Sequence, residues 1–160
     1  MYLKKSNFAD VVKNTPLVSI DLCIRKEDAL FLGKRLNSPA KDYFFVPGGR
    51  IRKNEKIEFA LNRIMDEEIG CRPRKKEDFK FLGVYEHFYD DNFLNTEDFT
   101  THYVVLAYLI DFRNLINFPS EINQIQHSEY IWYSPKKNNS VKVHSYTKNY
   151  FFNRNICEKS

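Results

Sequence analysis

The segment YFFVPGGRIRKNEKIEFALNRIMDEEIG, residues 43–70, gathers the side chains best suited to ionic chemistry. Its second half reads as one helix that ends in Asp66, Glu67 and Glu68. Negative charge at a helix C-terminus opposes the macrodipole, so a cation is expected to offset it. Arg63 stands four residues before Glu67, the spacing of an ion pair. Ile57, Ala60, Leu61, Ile64 and Met65 recur at helical spacing as a core-facing stripe. One further turn of that stripe reaches Glu68. A carboxylate aimed along an apolar seam is costly unless something pairs with it. Either Glu68 bends outward into water, the common fate of a charged residue, or it faces a bound cation.

The elements that must position this helix are legible around it. Residues 5–13 predict a short helix with Ser6 as N-cap, ended by Pro16. PLVSIDLCI alternates as a strand, with Leu17, Ser19 and Asp21 on one face. ALFLGKR and DYFFVP are further strands, and Gly48 and Gly49 break the chain before a helix over roughly 56–69. Asn54 is placed to cap that helix and Gly70 to end it. FKFLGVYEHFY, THYVVLAYLI and EYIWY read as strands, and HSYTKNYFFNR as a last helix with an aromatic face. His102 falls on the opposite side of its strand from Tyr103, and His144 reads as a surface residue before the last helix. Strands outnumber helices without regular alternation. That predicts an α/β protein of the α+β kind, a mixed sheet flanked by helices, as one domain over residues 1–160.

The 160 residues suit one core, and a formal charge of +4 is too mild to imply nucleic acid. It suits a small anionic substrate, and equally it is ordinary solubility charge. Cys23, Cys71 and Cys157 are odd in number and widely spaced, which fits neither a disulfide framework nor a zinc knuckle. No signal core and no membrane-length apolar run is present, so the expectation is a cytoplasmic protein with no membrane partner.

Gly49, Glu55, Arg63, Glu67, Glu68 and Gly70 form a long fixed-spacing signature. It resembles the Nudix box, G-x5-E-x7-R-E-U-x-E-E-x-G-U, a loop-helix-loop that holds divalent metal near a diphosphate. Ile64 stands where the box has a glutamate, and Cys71 where it has an aliphatic residue. Further stretches, FADVVKNTPLVSIDL, LGKR, YFFVPGGR, EHFYDDNF, FTTHYVVL and QHSEYIWY, resemble the GDP-mannose mannosyl hydrolase branch over nearly the whole chain. That resemblance implies the Nudix fold, a sheet sandwiched between helices. It also implies cleavage of the sugar carbon–oxygen bond where most relatives attack phosphorus.

The same resemblance implies the site residues. Mg²⁺, with Mn²⁺ as substitute, would be held by Glu68, the carbonyl of Gly48 and Gln126, with Gln124 as the neighbouring choice in NQIQHSE. Arg35 is the expected diphosphate clamp, since a guanidinium spreads donors over two phosphoryl oxygens, with Tyr103 and Arg50 beside it. His127, read as a loop residue, is the expected general base. Asp21 and His87 are assigned to the mannose hydroxyls, Asp21 joining His127, Arg35 and Tyr103 in the catalytic set. Tyr2, Leu3 and Phe8 are assigned to the nucleotide, or else make a frayed end with one core phenylalanine. Tyr89 and Phe93 line the cleft or pack the core. The implied partner is GDP-mannose or a related GDP-sugar, and the implied assembly a homodimer. Two rivals stay open: a conventional Nudix diphosphohydrolase that gives GMP and a sugar 1-phosphate, and a non-catalytic domain that binds a nucleotide sugar.

Overall fold

The structure is a computed structural model that describes residues 3–119, 127–137 and 140–153. Tyr2, Gln124, Gln126 and Cys157 lie outside the described residues. Helix α1 spans Lys5–Asn14. Strands β1 (Leu17–Lys26), β2 (Ala29–Arg35), β3 (Phe44–Phe45) and β4 (Gly48–Arg50) precede helix α2, Ile57–Glu68. After it come β5 (Arg72–Pro73), β6 (Lys80–Tyr89), β7 (Thr101–Asp111), β8 (Leu115–Ile116), β9 (His127–Tyr133) and helix α3, Ser145–Tyr150.

The main sheet runs β3-β2-β1-β7-β6, with β4 also on β1 and β9 on β2. Only β1 and β7 pair in parallel, from Leu17 opposite Tyr103 to Arg25 opposite Asp111; the other pairings are antiparallel. The sheet is therefore mixed, as the irregular order of elements in the sequence predicts. Alternation along β1 separates two cores. Ile20, Leu22 and Ile24 are fully buried in a cluster with Ala60, Leu61, Ile64 and Met65 of α2. Each of the larger side chains, the isoleucines, leucines and Met65, contributes about 1.5–3 kcal/mol relative to exposure. Cys23 turns to the other face, where Leu30, Leu32, Tyr133 and Tyr150 of α3 meet it. The sheet thus lies between α2 and α3. No helix among the described residues is long and apolar enough to cross a membrane.

Several local expectations are corrected. Helix α1 starts two residues earlier than Ser6 requires: Lys4 is the N-cap, at φ −57° and ψ 148°, and Ser6 Oγ donates to Asn7 Oδ1 inside the helix. Asn54 does not cap α2, whose N-cap is Lys56; Asn54 sits in a left-handed turn at φ 64°. That turn is closed by Glu55, whose Oε2 accepts the Arg52 backbone N–H at 2.9 Å. Ile57, at the first helical position, is exposed rather than core-facing. Gly48 and Gly49 do not merely break the chain, because they pair with Asp21 and Ile20 as strand β4. His127 opens β9 opposite Arg35 rather than lying in a loop. His144 is half-buried, because its Nδ1 accepts the Tyr146 backbone N–H and its ring packs on Tyr43 and Phe45.

Gly33 shows how tightly β2 and β9 meet. A Cβ there would stand 2.6 Å from the His127 ring and 2.9 Å from the Tyr130 ring. Gly33→Ala is expected to destabilise the fold by about 1–3 kcal/mol through overpacking, read as a lower midpoint in urea unfolding.

Candidate active site

A cleft of about 290 Å³ opens where β1, β4 and the end of α2 converge. Helix α2 delivers its acidic end there. Glu68 is 7% exposed, so it follows the apolar stripe inward and does not bend into water. No basic residue lies in the last turn of α2 to offset its dipole. Two of the three acids are met by arginines from elsewhere: Asp66 by Arg72 at 3.5 Å, and Glu67 by Arg52 and Arg63 at 2.9 Å each. Glu68 Oε2 instead lies 3.7 Å from His127 Nδ1, beyond hydrogen-bond length.

Arg63 frames this end of the site. Its Nε donates to Glu55 Oε1 at 2.6 Å, while its Nη2 donates to Glu55 Oε2 at 2.8 Å and to the Arg50 carbonyl at 2.9 Å. This fork ties α2 to the turn before it and to β4 at once. The hydrogen bond from Arg63, aided by the Arg52 N–H, holds the Glu55 carboxyl down to about 2 against an ordinary value of 4.5. A folded-state value below the unfolded one contributes stability at higher pH that is lost on acidification. The wild type is therefore expected to lose stability from about pH 4.5 down to about 2. Glu55→Gln should flatten that limb in denaturant titrations over the same range.

Opposite α2, Asp21, Arg35, Arg50, His87 and Tyr103 all line the cleft. Arg35 Nε donates to the Pro39 carbonyl at 2.8 Å, and its guanidinium lies 5.9 Å from the Phe45 ring centroid. The anchored guanidinium is thus fixed in place at the cleft wall. Arg50 stacks its guanidinium 3.9 Å from the Phe8 ring, and Phe8 packs on Phe93 at 4.7 Å. Phe8 therefore lies against the cleft residue Arg50 without lining the cleft itself, while Leu3 is exposed. Tyr89 lines the cleft and Phe93 does not.

Burial tunes the titrating groups. It raises the Asp21 carboxyl to about 7, against the Tyr150 hydrogen bond and the Arg35 charge that lower it. It lowers the His87 ring to about 4, with His144 adding to the effect. Burial, and then the Arg35 charge, lower His127 to about 4 as well. The His127 ring is 3% exposed, its Nδ1 lies 3.3 Å from the Tyr130 hydroxyl, and it stands next to the cleft residue Glu68 without lining the cleft itself.

The donors present fit a hard divalent ion. Glu68, Glu67 and Gly48 bring oxygen to one end of the cleft, and a Cβ on Gly48 would fall 2.5 Å from the Ile20 carbonyl oxygen. Among the described residues no three His, Cys, Asp or Glu side chains cluster as a metal cage. One or two carboxylates, completed by water and substrate phosphate, is the ordinary way a protein holds Mg²⁺. Gln126, the third implied ligand, lies outside the described residues.

The structure adds residues that the sequence reading did not single out for the site. Arg52, Ser19 and Phe45 line the cleft, and Tyr150 donates to Asp21 Oδ2 at 2.6 Å. Arg52 could have been found from its place in the turn before α2. Tyr150 stands 129 residues from Asp21, and no local pattern links them. A smaller cavity of about 210 Å³ lies at the other end of β1, where Asp111 meets Arg25 at 3.6 Å and Arg113 at 2.9 Å. Its lining mixes both signs, with Arg25, Lys80 and Arg113 beside Asp78 and Asp111.

The chain is similar to known proteins. The low-salt glycan biosynthesis protein Agl8 of Haloferax volcanii is 44% identical over 98 residues, 61% of this chain and 60% of that protein. An ADP-ribose pyrophosphatase of Methanocaldococcus jannaschii is 40% identical over 70 residues, 44% of this chain and 40% of that protein. The matched stretch thus spans 60% or less of each of these relatives. A MutT NUDIX hydrolase from Burkholderia pseudomallei superposes with TM-score 0.69 at 21% identity, covering 88% of this chain and 99% of that one. A bifunctional NMN adenylyltransferase/ADP ribose pyrophosphatase from Francisella tularensis gives TM-score 0.62 at 19% identity, over 91% of this chain and 42% of that one. At such identities the likeness carries the fold. A model of the NUDIX domain matches residues 15–153, and the chain belongs to that family.

Proposed function

We propose that this protein is a Mg²⁺-dependent hydrolase of a GDP-sugar that converts GDP-mannose to GDP and mannose. Water attacks the anomeric carbon from the face opposite GDP, so the configuration inverts. The observation that carries the reading is Ile64. It is 1% exposed and packs within reach of Gly49 on the cleft wall, at the position where the Nudix box has a glutamate. An apolar group there thins the carboxylate set to Glu68 and the arginine-bound Glu67. So sparse a set suits neutralising a departing diphosphate better than generating a nucleophile at phosphorus. The likeness to a glycan biosynthesis protein supports a sugar nucleotide as substrate.

Glu68 and the Gly48 carbonyl, with Gln126, are the residues that would hold the ion. When bound, Mg²⁺ offsets the charge that develops on the leaving diphosphate. Arg35 and Arg50 orient the two phosphoryl groups, and Tyr103 donates beside them. Asp21 and His87 bind sugar hydroxyls, and Phe8 and Leu3, with Tyr2 outside the described residues, are the side chains assigned to the nucleotide. No carboxylic acid is needed to protonate the leaving group, unlike the pair in ordinary glycosidases.

His127 is the proposed base, and Asp21 is favoured as its competitor because it lines the cleft. The pH profile separates them. A base works deprotonated, so activity rises with pH through its pKa and then levels. A half-maximum near pH 7 assigns Asp21; because burial lowers both His127 and His87 to about 4, one near pH 4 assigns His127 only where the limb is lost in His127→Gln and kept in His87→Gln.

The first test is product analysis with GDP-mannose and Mg²⁺. GDP with free mannose supports the proposal. GMP with mannose 1-phosphate returns the protein to conventional Nudix cleavage, and tight binding without turnover favours a binding-only role. The same reading takes residues 1–160 as one domain that forms a homodimer, which light scattering on the purified chain would test.

A further inference from the structure

We infer that Tyr150 is a positioning residue that fixes the plane in which the Asp21 carboxylate meets the sugar, and so sets the preference between epimeric sugars. This rests on reading the cleft as a sugar-nucleotide site, but not on which bond is broken there.

Tyr150 is fully buried at the end of α3, and its hydroxyl donates to Asp21 Oδ2 at 2.6 Å. Asp21 Oδ1 faces the Gly48 turn, where a glycine Cβ would come within 2.8 Å of it. The two carboxylate oxygens therefore have separate surroundings, one bound to helix α3 and one beside Gly48, which lines the cleft with Asp21. The terminal torsion of aspartate is broad, so an untethered carboxylate would sample a range of planes and aim its lone pairs in many directions. The Tyr150 hydrogen bond removes that freedom.

Tyr146, one turn earlier on α3, holds the second polar residue of this wall. Its ring stacks on His87 with centroids 4.2 Å apart at 7°. Its hydroxyl bonds both the N–H and the carbonyl of Phe88 at 2.8 Å. One short helix thus braces both groups assigned to the sugar. Epimers differ in the direction of one hydroxyl. A fixed acceptor discriminates between them, because the wrong epimer leaves it unpaired.

The test is calorimetric titration with GDP, GDP-mannose and GDP-glucose, with Mg²⁺ withheld so that nothing turns over. Wild type, Tyr150→Phe, Asp21→Asn and the double variant are compared, each checked for folding by thermal melting. The wild type should prefer one epimer, and Tyr150→Phe should lose about tenfold of that preference. Affinity for GDP should stay within about twofold, since GDP has no sugar. The double variant should lose no more than Asp21→Asn alone, because Tyr150 acts through Asp21. A folded Tyr150→Phe that keeps the preference overturns the inference. So do additive losses, or equal wild-type affinity for both epimers. A GMP product in turnover assays would sink hydrolysis at carbon and leave this role of Tyr150 standing.

Discussion

Arg63→Ala is expected to lower the free energy of unfolding by about 3 kcal/mol, the largest stability effect of any single substitution considered for this chain. Glu55 and Arg63 expose only 14% and 17% of their side chains, so the pair is mostly withdrawn from water. Removing the arginine strands the Glu55 carboxylate, which has paid its desolvation without its main partner. The Glu67 contact and the Arg50 carbonyl contact are lost with it. Since Arg50 ends β4, the substitution should also loosen the turn that presents Gly48. Arg63→Lys should recover only a part, because an ammonium cannot span both Glu55 oxygens and a backbone carbonyl with one planar fork. Urea unfolding of the three proteins checks the order: wild type above lysine above alanine. Equal midpoints would mean that the fork contributes nothing net, as an exposed ion pair often does.

The second large effect concerns turnover. Glu68→Gln should cut Mg²⁺-dependent activity by at least about a hundredfold, the scale for removing a group that holds or orients a metal. Glutamine keeps the size and half of the polar character of the side chain, so the fold should survive. Glu68 is buried at the end of α2 and faces the cleft, which is why charge rather than shape is at stake. A thermal melt close to wild type, together with the loss of rate, would assign the effect to the ion. Full activity in the variant would remove Glu68 from the metal set.

Much of this was legible along the chain. The helical stripe through Ala60, Leu61, Ile64 and Met65 forecast the buried face of α2, and its continuation forecast the inward Glu68. Hydrophobic periodicity carries that information, because one helix has one buried side. Strand alternation likewise separated Asp21 from Ile20. What failed were contacts made by remote residues. Asn54 has the chemistry of a cap, yet Glu55 closes the turn and the helix starts later. Ile57 has the right phase for the core but lies at the helix start, exposed to solvent. His144 looked like a surface residue because its partners Tyr43 and Phe45 stand a hundred residues away in sequence. The Tyr150–Asp21 bond was invisible for the same reason: the sheet, not the local pattern, brings α3 onto β1.

The central claim is attack at carbon, and the bond broken is its most direct test. GDP and mannose as products do not settle it, since water at the outer phosphorus would give the same pair. Turnover of GDP-mannose with Mg²⁺ in oxygen-18 water, with both products read by mass spectrometry, does settle it. The account predicts label in free mannose and none in GDP. Label in GDP, or in GMP or mannose 1-phosphate, would contradict it.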